Sequence, residues 1–164
     1  MPPYRLQTLL EIRERAEEEA KQAFSAAVQA AARERAVQRE MEEDLARRKA
    51  ERNAKIQAHL KEVMSRGAGI QALSTMNRYE NRLKDEEAQL ALDIERQKDV
   101  VREADRKVEQ RRFEMAEAAK ETKAIEKHKE KWAKQVRTER EAREDLNQEE
   151  IGNALHLARM RAKE

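Results

Sequence analysis

Beyond Pro3 the chain contains no proline, and its three glycines stand at positions 67, 69 and 152. Proline and glycine are the residues that most readily interrupt helices, so a 164-residue chain this poor in both favours very long helices. The one convincing break is SRGAGIQALST, residues 65–75, where Gly67 suits the left-handed conformation that closes a helix. Ser74 suits the cap of the next helix if residues 69–73 are irregular. Pro2 and Pro3 suit a helix start, since proline has no N–H to lose there. The pattern predicts helix 1 over about 4–64, a turn over about 65–73 and helix 2 over about 74–162, or from about Gly69 if residues 69–73 are helical, forming a single coiled-coil domain across residues 1–164. At 1.5 Å rise per residue the two helices measure about 90 Å and about 130–140 Å.

Such helices need partners, because 43% of the residues are charged and 3% are aromatic, too few apolar groups for an ordinary globular core. Disorder is countered by the abundance of Ala, Glu, Arg, Lys and Gln, which are strong helix formers, and by the periodicity of the apolar positions. Lys and Arg total 36 against 34 Asp and Glu, with the signs interleaved. There is no cationic stripe with stacking aromatics, and the expectation is no nucleic-acid binding. Cysteine is absent, excluding disulfides and thiolate metal sites. The first residues lack a signal-peptide core, and no run of about 20 apolar residues is present to cross a bilayer. The expectation is a soluble, cytoplasmic protein without direct membrane insertion.

Helix 2 carries a seven-residue repeat through Leu83, Glu87, Leu90, Ile94, Gln97, Val101, Ala104, Val108, Arg111, Met115, Ala118, Thr122, Ile125, Lys129, Trp132 and Val136. Alternate steps of three and four sustained this far mark a coiled-coil seam. Helix 1 has a thinner seam through Leu9, Arg13, Ala16, Ala20, Ala23, Ala27, Ala30, Glu34, Val37 and Met41, after which Leu45, Ile56, Leu60 and Val63 require a register shift. Folding back at the glycines supplies each helix with a partner. A turn centred near Gly69 sets residue n opposite roughly position 139 minus n, placing small Ala16–Ala30 side chains opposite Val108, Met115 and Ala118. The fold class is therefore all-α, a two-helix antiparallel coiled-coil hairpin with a longer second helix; an intermolecular coiled coil is the competing structure. Helix 2 then overhangs by about 30 residues. There the old register fails, landing on Glu139, Arg143, Glu150 and Asn153, while Ile151, Ala154, Leu155, Leu157 and Ala158 share one side around Gly152.

Candidate sites are few. Trp132, the only tryptophan, falls near Gln7 at the open end; it either seals that end against Leu6, Leu9 and Leu10 or anchors another protein. His59, His128 and His156 are far apart without HExxH-type spacing, and read as solvated helix histidines. No phosphate loop, nucleophile motif or cofactor turn is present, so the chain reads as no enzyme, with no metal and no cofactor. At the turn, Leu60, Val63, Met64, Ile70, Leu73, Met76, Tyr79 and Leu83 either pack on one another or leave an apolar docking patch.

The opening YRLQTLLEIRERAEEEAKQAF and the later EQRRFEMAEAAKETKAIEKHKEKWAKQVRTEREAREDLNQEE resemble the FliJ/YscO family, the small coiled-coil stalk proteins of flagellar and virulence type III secretion systems. The resemblance implies an antiparallel coiled coil similar to the central-stalk subunit of rotary ATP synthases. It implies a bacterial, ATPase-binding role in protein transport, inside a hexameric secretion ATPase and linked to the export-gate membrane protein, with export chaperones as further partners. The implied location is the cytoplasmic face of the inner membrane. Carried onto this chain, Leu6, Leu9, Ile12, Arg13, Trp132, Val136 and Arg140 would enter the ATPase ring, while Leu60, Met76, Tyr79 and Leu83 would face the gate. The alternative is a structural coiled coil, either a peripheral stator subunit of a rotary ATPase or a homodimeric spacer joined through the helix 2 seam.

Overall fold

The computed structural model describes residues 3–67 and 69–162. Two helices account for nearly all of them: α1, Gln7–Arg66, and α2, Ile70–Arg161, of 60 and 92 residues. They pack against each other antiparallel, and the second is the longer, as the repeat predicts. Gly67 takes φ 62°, the left-handed value that ends α1 without a Cβ clash.

The boundaries differ from the expected ones at three points. Tyr4 precedes α1 instead of opening it, and the Gln7 amide bonds back to the Tyr4 carbonyl at 3.1 Å. The expected role of Pro2 lies outside the described residues. At the other end of α1 the turn is tighter than residues 65–73. Helix α2 begins at Ile70, with the Ala72 amide bonded to the Gly69 carbonyl at 3.2 Å, so Ser74 is helical and caps nothing.

That tighter turn moves the pairing. Tyr4 meets Trp132, Phe24 lies under Arg112 and Gln7 bonds Lys129. A residue n of α1 thus faces roughly position 136 minus n, about one helical turn from the expected register. One consequence concerns the alanine stripe. The shift still sets residues 16–30 opposite roughly 106–120, the stretch that holds Val108, Met115 and Ala118, but Ala23, Ala27 and Ala30 line an open groove of about 640 Å³ with Val100, Ala104 and Lys107, which their small side chains do not fill.

Packing separates into two compact units: Gln22–Phe113, and Met1–Lys21 with Glu114–Glu164. In the first, Ala31, Val63, Ile94 and Val101 are buried, and polar side chains complete the seam. Arg52 Nε donates to Glu87 at 2.7 Å, with the two side chains only 14% and 7% exposed, and a second Arg52 nitrogen lies 3.5 Å from Glu80. Gln97 Nε2 donates to the Glu34 carboxylate at 2.6 Å and to the Glu34 carbonyl at 3.1 Å. In the second unit Tyr4, Leu10 and Thr122 are buried, and the Thr122 hydroxyl lies 3.2 Å from the Arg13 carbonyl.

Fifteen of the sixteen α2 seam positions are shielded; Arg111 alone is exposed, so the predicted repeat on this helix is correct. The α1 seam needs correction at three positions. Leu10, Ala31 and Gln38 are shielded, whereas the expected Leu9, Ala30 and Val37 are exposed. An apolar criterion chose Val37 over Gln38, but the steps of three and four that run through Arg13, Ala20, Ala27, Glu34 and Met41 carry Gln38 and Arg52 inward.

Two consequences for stability are testable. Glu87→Ala leaves the Arg52 guanidinium with only the longer Glu80 contact, and thermal unfolding should show a loss of about 2 kcal/mol. Joint replacement, Arg52→Met with Glu87→Leu, should restore or exceed the original midpoint, because it removes the desolvated charges together. The second consequence concerns acid. The Lys21 ammonium, 3.0 Å from Glu17, and then the Thr122 hydroxyl hold the Glu17 carboxyl below its ordinary 4.5. Lys84 does the same to Glu80. A carboxyl whose folded value is depressed binds fewer protons folded than unfolded. Its stabilisation is complete above its unfolded value and disappears as pH falls through the folded one. Unfolding midpoints should therefore fall below about pH 4.5, and less steeply in Glu17→Gln, Glu80→Gln.

Candidate functional site

The only tryptophan sits where α2 passes the start of α1, in the unit formed by Met1–Lys21 and Glu114–Glu164. Because Tyr4 lies in the turn before α1, its ring is free to lean onto α2. It packs against Trp132 with centroids 5.2 Å apart and planes tilted by 50°, and against His128 with centroids 5.8 Å apart. Its hydroxyl lies 2.7 Å from His128 Nδ1 and donates to it in the tautomer that carries its proton on Nε2. Tyr4 is 8% exposed while Trp132 stays half-buried. One turn further along α1, Gln7 Oε1 accepts from Lys129 Nζ at 2.9 Å. Tilted aromatic pairs are worth about 0.5–1.5 kcal/mol beyond the area they bury, so this clasp fixes the first turn of α1 on α2.

Beside the clasp opens a cleft of about 480 Å³, lined in part by Leu6, Trp132, Gln135, Val136 and Glu139. Three residues expected at this end, Leu6, Trp132 and Val136, are thus brought together. Leu9 and Ile12 stand outside the cleft, 37% and 54% exposed on α1. Arg13 turns across the seam to Glu121 at 2.5 Å. Arg140 lies beyond the cleft and pairs with Glu144 at 2.9 Å along its own helix. From residue 137 to residue 162 every side chain of α2 is exposed, Leu146, Ile151, Leu155, Leu157 and Met160 among them.

At the turn, within Gln22–Phe113, Met76 and Tyr79 line a second hollow of about 350 Å³ together with Ile56 and His59. Arg82 covers the Tyr79 ring with its guanidinium carbon 5.5 Å from the centroid. Leu83 belongs to a different, charged hollow beside Arg52 and Glu87. Leu60 is 38% exposed, and Met64 and Ile70 project into solvent at 76% and 86%, whereas Val63 is buried. The tip therefore keeps an apolar surface that its own side chains do not cover.

Sequence reasoning missed Tyr4 and His128. Once the turn is centred on residue 68, Tyr4 falls opposite Trp132, so the signal was the register and not the residue type. His128 is exposed but hydrogen-bonded, which corrects its reading as a merely solvated histidine. Among the described residues no group of three or more His, Asp or Glu could hold a metal ion, and no helix is long and apolar enough to cross a membrane.

An antiparallel helix pair with a polar-stapled seam, an aromatic clasp in one unit and a bare apolar turn in the other defines a two-helix coiled-coil protein. The chain belongs to the YscO-like family: the family described as YscO-like protein matches residues 1–162. A solved structure from Chlamydia trachomatis, CT670, described as a candidate YscO homolog, is 24% identical, with a TM-score of 0.81 over 98% of this chain and 99% of that one. That likeness concerns the fold. No curated protein matches the chain.

The clasp makes Trp132 its own reporter. Tyr4→Ala should shift Trp132 fluorescence to longer wavelength and cost about 3 kcal/mol in urea unfolding. Tyr4→Phe should keep the emission and cost about 1 kcal/mol, the worth of the bond to His128.

Proposed function

We propose that this protein is a non-enzymatic central-stalk component of a type III secretion apparatus, flagellar or virulence, with kinship to FliJ as well as YscO proteins. In this reading the clasp end, with Leu6, Leu9, Ile12, Arg13, Trp132, Val136 and Arg140, enters a hexameric secretion ATPase. The tip, with Leu60, Met76, Tyr79 and Leu83, meets an export-gate membrane protein at the cytoplasmic face of the inner membrane. Export chaperones are further partners. Membership of the YscO-like family across residues 1–162 is the observation that carries this reading. Two features add support: the longer helix runs past its partner with every side chain from 137 onward exposed, and apolar groups remain bare at the tip.

The chemistry of such a stalk is coupling. The ring hydrolyses ATP, and an asymmetric insert that contacts its subunits unequally biases them toward different nucleotide states by the difference in contact free energy. Interleaved charges suit this, since exposed ion pairs such as Arg140–Glu144 are worth about 0–1 kcal/mol and are remade at little expense as neighbours change. The spacer alternative loses ground here. Its dimer would form through the α2 seam, which α1 already covers.

The test is to mix the chain with its cognate secretion ATPase and follow binding and turnover. Stimulated turnover is expected, with Trp132→Ala weakening binding about 30-fold if the indole is an anchor worth about 2 kcal/mol. Arg140→Glu should weaken it further, and Tyr79→Ala should leave it unchanged while reducing capture by the gate protein. A chain that neither binds the ring nor alters turnover rules the stalk out.

A further inference from the structure

We propose that the exposed tail of α2, residues 144–162, pairs antiparallel with the same segment of a second copy of this chain, about a two-fold axis at Asn153. The inference is independent of the stalk reading and starts from phase. The α2 seam covered by α1 runs through Ile125, Trp132 and Val136, and its continuation is mixed, falling on Glu139, Arg143, Leu146, Glu150, Asn153, Leu157 and Met160. The tail has a seam of its own, Gln148, Ile151, Leu155, Ala158 and Ala162, again in steps of three and four. It is displaced by two residues from the covered seam, which at 3.6 residues per turn is about 200° around the helix, nearly the opposite side. The tail therefore turns this second stripe away from the side on which α1 lies.

The stripe is complementary to itself. With the axis at Asn153, Ile151 faces the second copy's Leu155 and its Leu155 faces Ile151, while Gln148 meets small Ala158. On one flank Gly152 faces Gly152 and on the other Ala154 faces Ala154, so the backbones approach closely at the centre. A Cβ on Gly152 meets nothing within 4 Å in the single chain, so nothing intramolecular requires glycine there, although it weakens an exposed helix by about 1 kcal/mol relative to alanine. Charge runs the same way. Residues 137–150 hold six carboxylates and three arginines, whereas residues 151–162 hold Arg159 and Arg161 and no carboxylate. Antiparallel pairing lays acidic on basic, with Asp145 beside the second copy's Arg159; parallel pairing lays like on like. With fewer residues a side than the roughly 20–30 of a standard interface, the dimer is weak and reversible.

Sedimentation of the full chain from about 10 µM to about 1 mM, a span that covers weak complexes, should show mass rising from one chain toward two. Leu155→Glu should abolish the rise, and Leu146→Glu, equally exposed but on the opposite side of the helix, should not. Asp145→Arg and Arg159→Asp should each weaken association about tenfold through like charges, and together should restore it. Gly152→Leu strengthens the isolated helix yet should dissociate the dimer, an outcome that a purely helix-forming role would reverse. Because the chain has no cysteine, Ala154→Cys should crosslink two chains on oxidation and Asn153→Cys should not. A chain that stays monomeric at the highest concentration, or in which Leu146→Glu and Leu155→Glu behave alike, overturns the proposal.

Discussion

Polar side chains reaching across the seam set the register of this helix pair. Alanine and half-buried aliphatics would tolerate sliding by a turn, because they present nearly the same surface at successive positions. Arg52 with Glu87, and Gln97 with Glu34, do not: moved by one turn, each leaves a desolvated group without its partner. Buried apolar area supplies the drive to pair, and the polar contacts select one pairing. In the unit that holds the clasp, Thr122 and Lys129 act likewise on Arg13 and Gln7.

The register decides what either end can do. Tyr4 reaches Trp132 only because the turn is confined to the residues between Arg66 and Ile70, and the same offset leaves Met64 and Ile70 bare. The clasp and the turn differ in chemistry. One has an indole, an imidazole and a phenol held in a fixed arrangement beside aliphatic groups; the other has a methionine-rich apolar surface with a guanidinium over a phenol ring. Positional recognition suits the first and adaptable packing the second.

Fold class, helix number and the α2 seam were legible in the sequence, because a heptad repeat over sixteen positions and the near-absence of helix breakers admit few alternatives. The α1 seam was legible at Arg13, Ala16, Ala20, Ala23, Ala27, Glu34 and Met41 and misread by one residue at Leu9, Ala30 and Val37, where the buried residue is polar or the choice lies between like neighbours. Pattern reading favours the apolar candidate; the helix pair favours whichever residue the phase delivers and then satisfies it with a partner. Pairing was off by about a turn, since glycines at 67 and 69 leave the centre of the loop open to that extent. Of the candidate site, Leu6, Trp132 and Val136 were legible as neighbours. Tyr4 was not, because its place depends on that offset.

The long exposed stretch of α2 has a thermal consequence. A helix of about 25 residues standing alone in water is only marginally formed, chiefly because its first turn is costly to nucleate. Here the nucleus is supplied by the stretch clasped to Tyr4, so the tail need only propagate, and order decays gradually from Val136 outward, without an all-or-none transition. The length of helix at any instant is then a property of temperature and of whatever is bound, and a ligand gripping its far turns draws the melting front outward, turning occupancy into a change of stiffness.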